Sequence, residues 1–244
     1  MCLPVTVIIL TAFQINCGKS ELIFNLKTRA QTYTVKLLKR KWLSKKTFEI
    51  LLSLPPAFAF KPGQRISLSL EGQERDYSIV SAPKESELTL CIRKVTGGEL
   101  SPLLSVTDIG TSLLLSGPYG YFTYKISHRP AVFVATGTGI APFCSMARSG
   151  IFSFTILHGV RSPVDLYYAS QLQQSARKYI PCLSDAKKST GNAFQGKVTE
   201  YLEQHLTPGA YDFYLCGRRE MIRDVTLLID ERFPGSLVYT ELFY

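Results

Sequence analysis

Two glycine-bearing turns, each closing an apolar run, carry the clearest chemical signal in this sequence. Val132 to Ala135 leads into Thr136-Gly137-Thr138-Gly139-Ile140-Ala141-Pro142. Glycine lets backbone N–H groups approach a phosphate, and the start of a following helix adds unpaired donors and a partial positive charge. Pro142 suits the first turn of that helix. The spacing is not GxGxxG, and a tight strand-to-helix turn without a ligand accounts for the same residues. In the second turn, Tyr211 to Leu215 continues into Cys216-Gly217 and a helix holding Met221. Both turns sit at carboxyl ends of strands, where open α/β sheets bind ligands. Cys216 also reads as a small buried apolar residue and Met221 as core packing.

The first half of the chain offers a different set. Arg75-Asp76-Tyr77-Ser78 combines a cation, an aromatic face and a hydroxyl, or it is an ordinary barrel strand with Arg75 and Ser78 solvated. Gly98-Glu99-Leu100-Ser101-Pro102 has the pattern of a helix entry capped by Ser101, again a phosphate-binding arrangement. Gly117-Pro118-Tyr119-Gly120 marks a turn that closes this half.

The elements that must position these groups follow two patterns. Predicted strands at Tyr33–Leu38, Thr47–Leu54, Arg65–Leu70, Asp76–Val80, Leu88–Val95 and Ser112–Leu115 are short and bounded by turn residues, as in a small antiparallel barrel. Residues 126–130 read as a linker. Strands then alternate with helices: Ala131–Ala135, a helix at Ile140–Arg148, Phe152–His158, a helix at Asp165–Arg177, Tyr179–Leu183, a helix at Val198–His205, Tyr211–Cys216, a helix at Arg219–Glu231 and Leu237–Thr240. That alternation predicts a parallel α/β sheet. The expected division is an N-terminal extension over 1–30, a barrel domain over 31–127 and an α/β domain over 128–244. His158 is expected to end a strand in a structural role.

Composition narrows the function classes. The 244 residues are 45% hydrophobic and 19% charged, which excludes a disordered or collagen-like chain. Six cysteines occur without any CxxC, so neither a zinc site nor a plant-type iron–sulfur cluster is expected, and reduced thiols in a cytoplasm are the default. No metal is expected. No run reaches about 20 apolar residues, so no stable membrane insertion is expected. Leu3–Phe13 is the nearest approach; it lacks a basic n-region, and reads as a signal peptide, an added element or sequence upstream of the true start. The net charge of +9 fits nucleic acid, an anionic surface, an acidic protein or a phosphate-bearing ligand. Its densest run, Lys36, Lys39, Arg40, Lys41, Lys45 and Lys46, reads first as a solvated hairpin edge.

The ordered series R-x-Y-S (Arg75–Ser78), G-x-x-S-P (Gly98–Pro102), G-P-x-G (Gly117–Gly120), G-T-G-I-A-P (Gly137–Pro142), C-G-x-x-x-M (Cys216–Met221) and E-x-F (Glu241–Phe243) resembles the ferredoxin–NADP reductase family over about residues 32 to 244. Gly98–Leu103, His158-Gly159-Val160-Arg161 and Asp165–Tyr168 are similar to its bacterial branch. The resemblance implies an antiparallel FAD-binding β-barrel followed by a parallel-sheet, Rossmann-like NAD(P)-binding domain, acting as a flavin-dependent NAD(P)H oxidoreductase.

Carried over residue by residue, the resemblance implies that Arg75 holds the flavin pyrophosphate, Tyr77 packs on the isoalloxazine and Ser78 bonds near its N5. Cys91, Ile92 and Arg93 line the ribityl–phosphate side, while Gly98, Leu100 and Ser101 bind the pyrophosphate. Thr136, Gly137, Thr138 and Gly139 seat the nicotinamide nucleotide, with Gly217 and Met221 beside them. Cys216 and Glu241 flank the nicotinamide and join Ser78 as the catalytic residues. Phe243 covers the flavin, with Tyr244 as its rival; Phe243 also reads as a docked strand residue.

Coenzyme choice turns on Ser184-Asp185. Asp185 favours NADH by repelling a 2′-phosphate, whereas Arg161, Lys187, Lys188 and Lys197 supply charge for NADPH. The expected partner is a soluble, acidic electron carrier such as a ferredoxin or flavodoxin, acting on a monomer, with the basic run available for steering. Alternatives are an oxygenase reductase component, a flavin reductase, a regulatory protein on a reductase scaffold, and a basic nucleic-acid-binding barrel. The last leaves the paired nucleotide turns unexplained, so nucleic acid is not an expected partner.

Overall fold

The computed structural model describes residues 31–185, 191 and 193–242. Leu3–Phe13, Lys187, Lys188, Phe243 and Tyr244 lie outside the described residues. The first sheet contains β1 (Thr32–Trp42), β2 (Thr47–Ser53), β3 (Arg65–Leu70), β4 (Gln73–Ser78), β5 (Glu87–Arg93) and β6 (Ser112–Tyr119), with α1 (Leu100–Leu104) between the last two. All its pairings are antiparallel, in the order β4-β3-β6-β1-β2-β5. The sheet curls until its two ends meet: Ile79, just past β4, bridges Leu90 of β5, and Val80 N–H donates to Thr89 O at 2.9 Å. Alternation explains the curl's contents. Leu88, Leu90 and Ile92 of β5 join Phe48, Ile50 and Leu52 of β2 in the barrel core, whereas Cys91 faces the opposite way.

The second sheet is parallel throughout. It comprises β7 (Ala131–Thr136), β8 (Thr155–Val160), β9 (Lys178–Leu183), β10 (Phe194–Gln195), β11 (Asp212–Gly217) and β12 (Leu237–Leu242), ordered β10-β9-β8-β7-β11-β12. Helices α2 (Ala141–Arg148), α3 (Ala169–Ser175), α4 (Val198–His205) and α5 (Arg219–Arg232) cover both faces. On β7, Phe133 and Ala135 pack with α2 and α3, while Val132 and Val134 pack with α4 and α5. A strand buried on both faces must read as an unbroken apolar run, as β7 does. Strand order reverses between β7 and β11, which places the ligand crevice at their carboxyl ends.

The sheets share a core. Val80, Cys91 and Phe122 pack with Phe143, Cys144 and Met146 of α2, behind a stack in which Phe133 lies 4.7 Å from Phe143 and 4.5 Å from Phe154. Hydrogen bonds cross the same boundary: Ser145 Oγ donates to Ser81 O at 2.7 Å, and Tyr168 Oη donates to Glu49 Oε2 at 2.7 Å.

Several expected elements shift. The helix expected over 165–177 is only α3, because a 3-10 turn at Pro163–Asp165 and the left-handed Tyr168 (φ 59°) block its first part. The helix expected to begin at Ile140 opens as a 3-10 turn, Gly137–Ile140. Left-handed Ser153 (φ 63°) delays β8 to Thr155 and leaves Phe152 exposed. β8 also continues two residues further, to Val160, so His158 lies inside it and not at its end. The basic run is not an edge strand throughout: β1 pairs with both β2 and β6, and Arg40 Nη1 donates to the carbonyls of Leu104 (3.2 Å) and Thr107 (2.5 Å). Among the described residues, no helix is long and apolar enough to cross a membrane, and no group of three or more His, Cys, Asp or Glu is placed to hold a metal ion.

Candidate functional site

One cleft of ≈ 2610 Å³ runs between the curled sheet and the carboxyl ends of β7 and β11. A pocket for one drug-sized ligand is roughly 300–1,000 Å³, so this cleft has room for two dinucleotides. Its barrel wall carries Arg75, Tyr77, Ser78, Cys91, Arg93, Gly98, Leu100 and Ser101. Its α/β wall carries Thr136, Gly137, Thr138, Arg161, Ser184, Lys197, Gly217, Met221 and Glu241. The structure thus brings most of the sequence-predicted groups to one space.

Three predicted groups stand behind the wall. Ile92 is sealed in the barrel core. Gly139 packs against the carbonyl of Cys216. Cys216 is fully buried in the shared apolar cluster, where burial and then the nearby Glu241 charge push its thiol well above its ordinary range. A thiol held that way stays protonated, and its side chain packs in the apolar cluster behind the cleft wall. Ser101 does not cap α1. Glu99 occupies that position without a capping bond, and the Ser101 hydroxyl instead accepts Val95 N–H at 3.1 Å.

The barrel wall has three notable settings. Ser78 is buried, and its Oγ has no hydrogen-bond partner. An orphaned buried hydroxyl beside a cleft is costly unless a ligand completes it. Tyr77 presents an aromatic ring whose phenol is pushed up to about 12 by burial, partly offset by Arg75, so it remains neutral. Arg75 Nη2 is paired with Glu99 Oε2 at 2.9 Å on an exposed rim, so a phosphate there competes with a solvated carboxylate.

The nucleotide turn is shaped by near-contacts that only glycine permits. A β-carbon on Gly139 would overlap Cys216 O, and one on Gly217 (φ 138°) would overlap Thr136 Oγ1. The turn is anchored from beneath by His158, whose Nε2 lies 3.2 Å from Gly137 O and whose Nδ1 lies 3.1 Å from Tyr179 Oη. Nε2–H donating to the carbonyl fixes the tautomer and leaves Nδ1 to accept from Tyr179. Burial drives His158 down to about 4, so it is neutral at pH 7.

Sequence reasoning missed Arg65. Its guanidinium lies in the cleft, with Nε 2.8 Å from Asp76 Oδ2 and Nη1 2.9 Å from Glu241 Oε1. Gly120 (φ 90°) leaves the space this guanidinium occupies. The only local signal was a cation at the start of a strand that alternates apolar residues with serines. Its main partner is 176 positions away.

Orphaned Ser78, the Tyr77 ring, the cationic rims and the glycine-shaped turn fit a flavin dinucleotide on one wall and a nicotinamide dinucleotide on the other. The fold and cleft define a two-sheet dinucleotide-binding oxidoreductase. The comparisons agree: an oxidoreductase FAD-binding domain matches residues 34–124, and an oxidoreductase NAD-binding domain matches residues 133–226. The chain belongs to the ferredoxin–NADP reductase family of FAD- and NAD(P)-binding oxidoreductases.

It is 34% identical over 221 residues to the toluate 1,2-dioxygenase electron transfer component of Pseudomonas putida, covering 83% of this chain and 65% of that one. It is 32% identical over 209 residues to the naphthalene 1,2-dioxygenase system ferredoxin–NAD(P)(+) reductase component of the same species, covering 80% and 63%. The chain therefore spans about two thirds or less of these relatives' lengths. Among solved structures, a ferredoxin NADP+ reductase from Neisseria gonorrhoeae with bound FAD and NADP aligns with TM-score 0.72 at 24% identity, covering 86% of this chain and 99% of that one. The Amycolatopsis cytochrome P450 reductase GcoB aligns with TM-score 0.75 at 25% identity, covering 88% and 71%.

Proposed function

We propose that this chain takes hydride from NAD(P)H onto FAD and passes electrons singly to a protein acceptor, either a soluble carrier such as a ferredoxin or flavodoxin or the next component of an oxygenase system. The observation that carries this reading is the single cleft onto which both dinucleotide-binding walls open. The relatives named for dioxygenase electron transfer support the oxygenase branch.

When bound, FAD supplies the conversion between two-electron and one-electron chemistry that amino acids lack. The chain's own residues bind and orient. Tyr77 offers a packing face, Ser78 a hydroxyl for the flavin edge, and Cys91 and Arg93 the phosphate side. Arg75 exchanges Glu99 for pyrophosphate beside Gly98, Leu100 and Ser101. Thr136–Gly139 and Gly217 seat the nicotinamide nucleotide against Met221. Glu241 orients the nicotinamide, and in this reading Phe243 shields the flavin face, with Tyr244 as its rival. Arg161, Ser184, Lys197, Lys187 and Lys188 favour a 2′-phosphate and Asp185 opposes it; NADPH is the preferred coenzyme in this reading.

The working boundaries are 31–127 for the FAD domain and 128–244 for the NAD(P) domain, in a monomeric cytoplasmic protein. The test is a visible absorbance spectrum of the purified chain, then anaerobic titration with NADPH and separately NADH. A yellow protein bleached preferentially by NADPH is expected. A chain that stays colourless after incubation with FAD overturns the reading.

A further inference from the structure

Glu241 is a charged side chain only 9% exposed, and one guanidinium from the opposite sheet reaches it. Arg65 belongs to β3, where it stands directly across from Ser78 of β4. Its fork is divided: Nε bonds Asp76 at the half-exposed rim, and Nη1 bonds Glu241 in the interior. The Asp76 arm fixes the plane of the guanidinium, and the plane fixes where Nη1 points. A lysine has one nitrogen on a flexible stem and cannot hold both carboxylates in that geometry. Gly120 keeps the space open, since a β-carbon there would lie 2.8 Å from Arg65 Nη1.

We infer that Arg65 is a positioning residue that holds and orients the Glu241 carboxylate at the junction of the two walls. The inference rests on the proposed hydride-transfer role of the cleft. The groups facing Glu241 are Arg65 from β3, Asp76 from β4 and Cys216 from β11. Burial pushes the Glu241 carboxyl above its ordinary range and Asp76 adds to that, while Arg65 pulls it back. Without Arg65, burial and the Asp76 charge both favour the protonated form.

The test uses the full chain with 13C-carboxyl-labelled glutamate, the Glu241 signal being assigned by its loss in Glu241→Gln. Arg65→Gln is expected to move the Glu241 titration upward by about one pH unit or more. The acidic limb of NAD(P)H-dependent ferricyanide reduction should move with it. Arg65→Lys keeps the charge without the fork and should stay closer to wild type. In Glu241→Gln that limb should be absent, and adding Arg65→Gln should not restore it. An unmoved Glu241 titration in Arg65→Gln, or equal displacement in Arg65→Lys and Arg65→Gln, overturns the inference. A chain that oxidises no nicotinamide nucleotide while the carboxyl titration still moves overturns the functional reading alone.

Discussion

Gly139 lies directly against the carbonyl of Cys216, so close that a β-carbon at position 139 would overlap that oxygen. The contact locks the nucleotide turn after β7 onto the end of β11. Gly139→Ala must separate the two, at an expected cost of about 1–3 kcal/mol. Thermal melting should register the loss, and NAD(P)H titration should show weaker binding than that stability change alone produces.

Ser78 separates stability from activity. Its hydroxyl is buried without a partner, so Ser78→Ala removes a desolvated group and no bond. The melting temperature should hold or rise. Flavin reduction by NAD(P)H should fall about a hundredfold if the hydroxyl serves the reacting edge. Stopped-flow reduction beside a melting curve checks both halves, and an equally fast Ser78→Ala would remove Ser78 from the catalytic set.

His158 gives a pH signature. Its folded value is about 4, against about 6.5 when unfolded, so the unfolded chain binds the extra proton first. Stability is complete above about pH 6.5 and declines as pH falls toward the folded value. Between pH 7.5 and 4.5 the wild type should lose about 2–3 kcal/mol more than His158→Gln. Urea unfolding of both proteins at the two pH values measures that difference.

Coenzyme choice is testable at Arg161, which lines the cleft with Ser184 and Lys197. Arg161→Glu should raise KM for NADPH about tenfold or more while changing KM for NADH little, since only NADPH carries the extra phosphate. Steady-state kinetics with both coenzymes decides it. A parallel rise for both would place Arg161 on the shared pyrophosphate.

Local rules made much of this molecule readable. β3 and α4 fall where alternation and helical spacing put them, because each has one apolar and one polar face. The turns after β7 and β11 were visible because glycine at a strand end has few other uses. Boundaries failed where a left-handed residue intervened, as at Ser153 and Tyr168, since neither type announces that conformation. Ser101 looked like a cap because its competing partner, the Val95 amide, is fixed only by the folded loop. The Arg65–Glu241 pair was invisible for a related reason: nothing near either residue specifies a partner on the other sheet.

The apolar cluster that joins Val80 and Cys91 to Phe143 and Cys144 governs how the molecule comes apart. The α/β half supplies most of that cluster, and Val80, Cys91 and Phe122 of the barrel half close it. Severing the chain near residue 128 would uncover the α/β half's apolar cluster on one side and bare Val80, Cys91 and Phe122 on the other, and each fragment would be sticky in water. The two nucleotide-binding halves are therefore one cooperative unit, and heat or urea should melt both in a single transition.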